Sequence, residues 1–194
     1  MDFQVAPGNT PLNPTEAEGL IPKLSMLEEL NQAEGFNILS ARRWANEDLT
    51  SASDVLSSSS LRKLHLKMFD RTWRWAGKYR VTQKSIGIEA FRIASELEKL
   101  VANTKTWIEF GTYSPLEIAV RFHHRLVQIH AFPNGNGRHA RLATDLLCQQ
   151  LGIELFSWGS HLKEGRVEVR RKYITALQKA DNHEFEDLLV FVQS

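Results

Sequence analysis

The spacing of apolar residues restricts the fold of this chain more than any other feature of its sequence. From residue 25 onward, apolar residues recur at steps of three to five along most of the chain. This period is typical of helices that bury one face. It predicts helices at 25–45, 57–69, 91–107, 115–129, 138–151, 165–180 and 184–192.

Local signals mark several ends of these helices. The serine cluster Ser57–Ser60 offers N-cap hydroxyls, which accept hydrogen bonds from the free amides of a first turn. Ser114 precedes Pro115, and proline is favoured at the first helical position. Gly152 follows the helix predicted over 138–151 and is expected to end it, because glycine adopts the left-handed backbone of a C-terminal cap.

Two segments depart from the helical pattern. The first 23 residues hold four of the six prolines, which predicts an extended N-terminal arm over 1–23. Aromatic and β-branched residues flank Gly77 and Gly87, and they predict the only β-hairpin of the chain, with a flap at about 80–90. We therefore expect a mainly α fold with one small hairpin, formed by a single domain over 24–194.

Composition narrows the class of protein. The 194 residues suffice for one domain, and the formal net charge of +1 argues against a protein that coats nucleic acid. The single cysteine, Cys148, excludes an intrachain disulfide. No apolar run approaches the roughly 18 residues that span a bilayer, and no basic segment followed by an apolar one begins the chain. We expect a cytoplasmic protein without a membrane or nucleic-acid partner.

The segment from His130 to Arg141 reads HAFPNGNGRHAR and concentrates groups that bind phosphate. Gly135 and Gly137 allow successive backbone amides to point at one spot, directly before a helix N-terminus with its positive dipole end. Arg138 and Arg141 share a face of that helix. Cations oppose the dipole there, and a bound anion removes the conflict.

His130 lies at the mouth of this phosphate cradle, where a group that titrates near neutrality can accept a proton. Each feature taken singly has an ordinary structural explanation, such as a glycine turn, a solvated arginine face or a histidine cap. Their concentration within residues 130–141 favours a functional site. The segment matches neither the phosphate loop of Walker-type nucleotide-binding proteins nor a Rossmann fingerprint.

The same segment resembles the core motif of the Fic family, H-x-F-x-[D/E]-G-N-G-R-x-x-R. The stretch from Trp75 to Arg80, WAGKYR, also resembles the segment that enters the Fic flap. The proline-rich arm, the stretch from Glu29 to Glu34 and the 130–142 segment are similar to the Fic subgroup called mobile mystery protein B. The resemblance implies a Fic-type helical bundle with a small hairpin flap.

The resemblance also implies an activity, the transfer of AMP from ATP to a Ser, Thr or Tyr hydroxyl of a target protein. By the resemblance, His130 is the general base and Phe132 a buried anchor of the loop. Backbone groups of 135–137, with the Asn136 side chain, form the anion hole. Arg138 then holds the β-phosphate region and Arg141 the γ-phosphate. Mg²⁺ bridges phosphate oxygens, and a target strand adds to the flap edge.

One position departs from the family pattern. The motif's acidic metal ligand is Asn134 here, and an amide oxygen can bind Mg²⁺ but brings no charge. Asn134 is therefore a weak Mg²⁺ candidate. A lysine at this position marks Doc-type relatives, which transfer phosphate. Asn134 is not lysine, so a phosphotransferase is not favoured either. It stays an alternative, together with a nucleotide-binding regulator without AMP transfer.

A second comparison concerns self-inhibition. Many Fic proteins carry an [S/T]-x-x-x-E-[G/N] helix, whose glutamate pairs with the last arginine of the motif. Glu34-Gly35 supplies the second half of that pattern, but Leu30 stands at the Ser/Thr position. We hypothesise that Glu34 is an inhibitory residue and pairs with Arg141. The alternative is a glutamate that faces solvent.

Partners follow from the resemblance alone. Proteins of the mobile mystery B type are encoded beside a helix-turn-helix protein, which implies a toxin–antitoxin-like pair. By the resemblance, AMP is transferred to another protein or to the protein itself. His123, His124, His130 and His139 suggest a transition-metal cluster only weakly, because no acidic or cysteine ligand completes the pattern.

Overall fold

The computed structural model describes residues 13–24 and 26–194 of the chain. Within these residues the fold is built from α-helices, with a short 3-10 segment at Ala90–Arg92. The helices are α1 (Pro14–Ala17), α2 (Leu27–Asp48), α3 (Ala52–Val55), α4 (Ser58–Phe69), α5 (Ile93–Phe110), α6 (Pro115–Ile129), α7 (Asn136–Gln150), α8 (Arg166–Ala180) and α9 (Glu186–Val192).

The predicted capping residues begin these helices as expected. The Ser57 hydroxyl accepts a hydrogen bond from the Ser60 amide at the start of α4, and Ser114 caps α6 in the same way ahead of Pro115. Helix α7 begins at Asn136, two residues before the predicted Arg138. The helix therefore starts inside the glycine loop, and the motif's amides belong to its first turn.

The prolines predicted an extended N-terminal arm over 1–23, but the described part of the arm is not extended throughout. Pro7 and Pro11 lie outside the described residues, but Pro14–Ala17 forms one helical turn. The Asn13 side-chain oxygen accepts a hydrogen bond from the Glu16 amide, and the Glu16 carboxylate accepts one from the Asn13 backbone N–H. Pro14 occupies the first helical position, where its missing N–H costs nothing, so proline favours this turn rather than excluding it.

The prediction of a β-hairpin with a flap at about 80–90 is wrong. The described chain has one isolated bridge, between Leu20 and Trp73, and no strand. A side chain closes the flap instead of a ladder of backbone hydrogen bonds. Within the flap, the Arg80 guanidinium donates to the carbonyls of Thr82 (3.0 Å) and Ile88. These carbonyls are thereby satisfied without strand pairing, which the sequence pattern could not reveal.

Helices α6 and α7 lie between two apolar clusters. The larger cluster joins them to α2, α4 and α5 through residues such as Met68, Leu97 and Phe122, each at most 1% exposed. The smaller cluster packs α8 and α9 against their other side. Full burial of each such side chain contributes roughly 1.5–3 kcal/mol. The loop that joins α6 to α7 is therefore held by a rigid helix pair.

No helix in the described part of the chain combines the length and the apolar character that crossing a membrane requires.

Candidate functional site

The site begins where α6 ends, at His130. This residue caps the helix in the left-handed backbone region (φ 52°), and its carbonyl accepts a hydrogen bond from Arg80 Nε at 2.7 Å. Gly87 of the flap lies against it, with φ 95°. A Cβ atom on Gly87 would approach the His130 Cβ to 2.6 Å. Only glycine allows the flap backbone to lie this close to His130.

Buried contacts hold the loop after His130 in one conformation. Phe132 is 1% exposed and stacks on the His65 ring at 3.7 Å, which confirms that it is buried. The Asn136 amide spans the loop: its Oδ1 accepts from the Phe132 N–H (2.9 Å) and its Nδ2 donates to the Phe132 carbonyl (2.8 Å). The Asn136 side chain therefore fixes the loop, and its expected role in the anion hole stays a prediction.

The N-terminus of α7 presents unpaired amides at the end of this loop. Its N-cap is Gly135 (φ 78°), so no cap side chain binds the first-turn amides of Asn136, Gly137 and Arg138. A Cβ atom at Gly135 would lie 2.5 Å from the Phe69 ring. The first turn holds no acidic residue. These amides and the helix dipole form a site for an anion.

The two motif arginines have different partners. Arg138 forms an ion pair with Glu34 of α2. The hypothesis that Glu34 pairs with Arg141 is therefore wrong, although Glu34 does reach the motif. Glu34 is 5% exposed and also accepts a hydrogen bond from Trp73 Nε1 at 2.6 Å. The packing of α2 turns this carboxylate toward the first arginine, and the alternative of a solvent-facing glutamate is also wrong.

The electrostatic environment of His130 keeps its imidazole neutral. Burial, followed by the charges of Arg80 and Lys84, lowers the pKa of His130 to about 4. An imidazole with this pKa is unprotonated near pH 7, as a proton acceptor must be. Lys84 belongs to the flap and forms an ion pair with Glu16 of α1. The N-terminal segment therefore contacts the flap beside the site.

The geometry at Asn134 does not fit a Mg²⁺ site provided by the protein. Its Oδ1 accepts a hydrogen bond from the Gly135 amide at 2.5 Å, and the amide carries no charge. The part of the chain that the structure describes contains no group of three His, Cys, Asp or Glu side chains able to hold a metal ion. Mg²⁺ sites usually include at least one carboxylate besides phosphate oxygens.

Sequence analysis missed two residues that support the site. His65 accepts from the Gly77 amide at Nδ1 (3.0 Å), so its Nε2 carries the hydrogen and donates to the Asn134 carbonyl (3.1 Å). Arg80 joins the flap to the end of α6 through the His130 carbonyl. Neither residue belongs to the motif, and only the WAGKYR stretch, which ends in Arg80, pointed to this region.

The histidines considered for a transition metal have other partners. His123 Nε2 lies 2.8 Å from the Tyr173 hydroxyl, His124 Nε2 lies 2.9 Å from Asp181, and His139 Nε2 donates to the Leu61 carbonyl at 2.8 Å. Burial lowers the pKa of His139 to about 4. These side chains link separate parts of the fold through hydrogen bonds and do not form a metal cluster among the described residues.

The glycine-rich N-terminus of α7, the two arginines and the neutral histidine lie together at the junction of α6 and α7. The model of the Fic/DOC family matches residues 55–148. The matched residues, nearly half of the chain, therefore resemble the Fic/DOC family. The matched range ends inside α7 and covers the motif, the flap and helices α4 to α6.

Known proteins similar to this chain agree with that assignment. Protein adenylyltransferase Fic of Nematostella vectensis is 25% identical over 181 residues, which are 91% of this chain and 40% of that protein. The chain thus spans about two fifths of the length of that curated relative. The solved structure of Fic-1 from C. elegans has a TM-score of 0.70 at 24% identity, over 92% of this chain and 52% of that one.

A bacterial structure is similar over nearly its whole length. BepC, a VirB-translocated effector protein of Bartonella tribocorum solved with bound AMPPNP, has a TM-score of 0.65 at 19% identity. The match covers 93% of this chain and 98% of that one. These likenesses show that the helical fold is shared.

Proposed function

We propose that this protein is a Fic-type adenylyltransferase, which transfers AMP from ATP to a Ser, Thr or Tyr hydroxyl of a target protein. The observation that carries the proposal is the junction of α6 and α7. There a neutral, buried histidine stands beside a helix N-terminus that has free amides and two arginines. The names of similar proteins, and the AMPPNP bound to BepC, agree with it.

In the proposed reaction the His130 imidazole accepts the proton of the target hydroxyl. The hydroxyl oxygen attacks the α-phosphorus of ATP, and the bond from that phosphorus to the β-phosphate oxygen breaks to release pyrophosphate. The first-turn amides of α7 stabilise the charge that develops on the phosphate oxygens. Arg138 and Arg141 bind the departing β- and γ-phosphates. A positioned base of this kind is worth typically ~10²–10⁴-fold in rate.

The contact between Glu34 and Arg138 supports self-inhibition as part of this proposal. A carboxylate on one of the two phosphate-binding cations occupies the place of a phosphate oxygen and repels the rest of the triphosphate. We propose Glu34 as the inhibitory residue, acting through Arg138. Release of the Glu34 side chain then precedes productive binding of ATP.

The proposed reaction is tested with ATP labelled at the α- or the γ-phosphate. Wild type, Glu34→Gln and His130→Ala are incubated with Mg²⁺ and a cell lysate, and labelled protein is separated on gels. We expect label from α-labelled ATP only, more label with Glu34→Gln, and none with His130→Ala. A labelled band at the protein's own mass indicates self-modification. Label from γ-labelled ATP would overturn the proposal in favour of a phosphotransferase.

The second candidate is a regulator that binds nucleotide without turnover. It is favoured by the uncharged Asn134 at the position of the family's acidic ligand and by the occupied Arg138. Measurable ATP binding with no label in any variant supports this candidate. A helix-turn-helix partner protein, as in a toxin–antitoxin pair, is tested by co-purification with the product of a neighbouring reading frame.

A further inference from the structure

Arg141 contacts two aromatic rings, whereas Arg138 lies over the Phe69 ring and also forms an ion pair with Glu34. The guanidinium carbon of Arg141 lies 4.8 Å from the centre of the Tyr173 ring and 5.7 Å from that of Trp158. Asp145, one turn further along α7, pairs with Arg42 instead, and no ion pair of Arg141 occurs among the described residues. Aromatic faces attract a cation without neutralising it. The charge of Arg141 therefore remains available to an anion.

A chain of hydrogen bonds fixes the Tyr173 ring. Thr144 donates its hydroxyl hydrogen to the Ala140 carbonyl (2.7 Å), so its oxygen accepts from Nδ1 of His123 (3.3 Å). His123 then accepts the Tyr173 hydroxyl hydrogen at Nε2 (2.8 Å). Burial, and next the charge of Arg141, lower the pKa of His123 to about 3, which keeps it neutral. Only lone pairs of the Tyr173 oxygen face the neighbouring Arg141.

Contacts with neighbouring side chains also hold the Trp158 ring in place. Its indole N–H donates to Asp145 Oδ1 (2.9 Å), and its ring lies 4.5 Å from that of His123. Its backbone has φ 54°, in the left-handed region that a bulky residue rarely adopts. Such a conformation persists only where the surroundings hold it, and it occurs preferentially at functional sites.

We propose that Trp158 and Tyr173 are positioning residues, which hold the Arg141 guanidinium for the outermost phosphate of a bound nucleoside triphosphate. The inference rests on the proposed nucleotide binding. Arg141 lies one turn further from the N-terminus of α7 than Arg138 does, and helical side chains lean toward the N-terminus. It therefore reaches back along the side of the helix, to a phosphate beyond those bound by the first-turn amides.

The test compares the affinities for ATP and AMP by calorimetry, in a Glu34→Gln background that frees Arg138. Trp158→Ala is expected to weaken ATP binding about tenfold, the usual scale of a desolvated cation–aromatic contact, and to leave AMP binding unchanged. Trp158→Phe, which keeps a ring, should retain most of the ATP affinity. Added to Arg141→Ala, Trp158→Ala should cause no further loss.

A matched control is Tyr113→Ala, because the Tyr113 ring, which lies just before α6, has the guanidinium carbon of Arg121 at 4.2 Å from its centre. This variant should bind both nucleotides as the background protein does, and thermal unfolding shows whether each variant is folded. Equal losses for ATP and AMP in Trp158→Ala, or an unchanged preference for ATP, would overturn the inference alone. A background protein that binds neither nucleotide would overturn the proposed function together with the inference.

Discussion

At the scale of single residues, Glu34 illustrates how packing selects a partner. Arg138 and Arg141 are three positions apart on α7, so both project toward similar surroundings. The Glu34 carboxylate nevertheless contacts Arg138, because Trp73 Nε1 holds its other oxygen at 2.6 Å. The sequence pattern identified the glutamate, but the choice of arginine depends on the rotation of α2 against α7. That rotation is a tertiary property which helical spacing does not contain.

Replacement of Glu34 by glutamine should raise the affinity for ATP about tenfold or more. Glutamine keeps an acceptor for Trp73 but removes the charge that competes for Arg138, and a hydrogen bond to a charged group is worth about 1.5–3 kcal/mol. Calorimetric titration with ATP measures the change. Glu47→Gln, the same substitution at an exposed position of α2, is the control. Equal ATP affinities for Glu34→Gln and wild type would contradict the role assigned to Glu34.

At the scale of elements, the helices were predictable from local signals and the flap was not. A helix start such as Ser114-Pro115 is decided within one turn, so the sequence predicted where α6 begins. The flap is closed by Arg80, which bonds the carbonyls of Ile88 and of His130, the latter 50 positions away in the chain. Its β-branched residues are typical of strands, but a long-range side-chain contact decides the conformation instead.

Substitution of Arg80 by methionine should loosen the flap. Arg80 is 2% exposed, and its loss leaves the carbonyls of Thr82, Ile88 and His130 without this donor. The free energy needed to open the segment falls accordingly. Tryptic cleavage after Lys84, followed by mass spectrometry, should become at least about tenfold faster.

The control for the flap is Arg74→Met, because Arg74 is exposed and lies just before the segment. Cleavage after Lys84 in this variant should proceed at the wild-type rate. If Arg80→Met were also cleaved at the wild-type rate, Arg80 would not be what holds the flap closed.

At the scale of the whole molecule, buried neutral histidines join the helices and make stability depend on pH. The pKa of His123 is lowered to about 3, and those of His130 and His139 to about 4, with burial as the main cause each time. An unfolded chain takes up protons on these side chains below about pH 6.5, whereas the folded chain does not until about pH 4. The unfolded state therefore binds more protons in this window.

The free energy of unfolding should consequently fall as the pH drops from about 6.5 toward 4. Each histidine contributes a slope of about 1.4 kcal/mol per pH unit. Urea unfolding at a series of pH values measures the slope. His139→Gln keeps a donor for the Leu61 carbonyl but does not titrate, so its slope should be smaller by that amount. His161→Gln, at an exposed position, should keep the wild-type slope, and a flat profile between pH 7 and 5 would contradict the argument.

Under the inhibition proposed for Glu34, its ion pair with Arg138 sets a threshold for the binding of anions. A phosphate that binds Arg138 then competes with a carboxylate that the same chain keeps at high local concentration. The apparent dissociation constant then equals the intrinsic constant divided by the fraction of molecules in which the pair is open. The site then binds ligand only above a concentration that this fraction sets. A movement of α2 changes the fraction, and with it this concentration, without any change in the residues of α7.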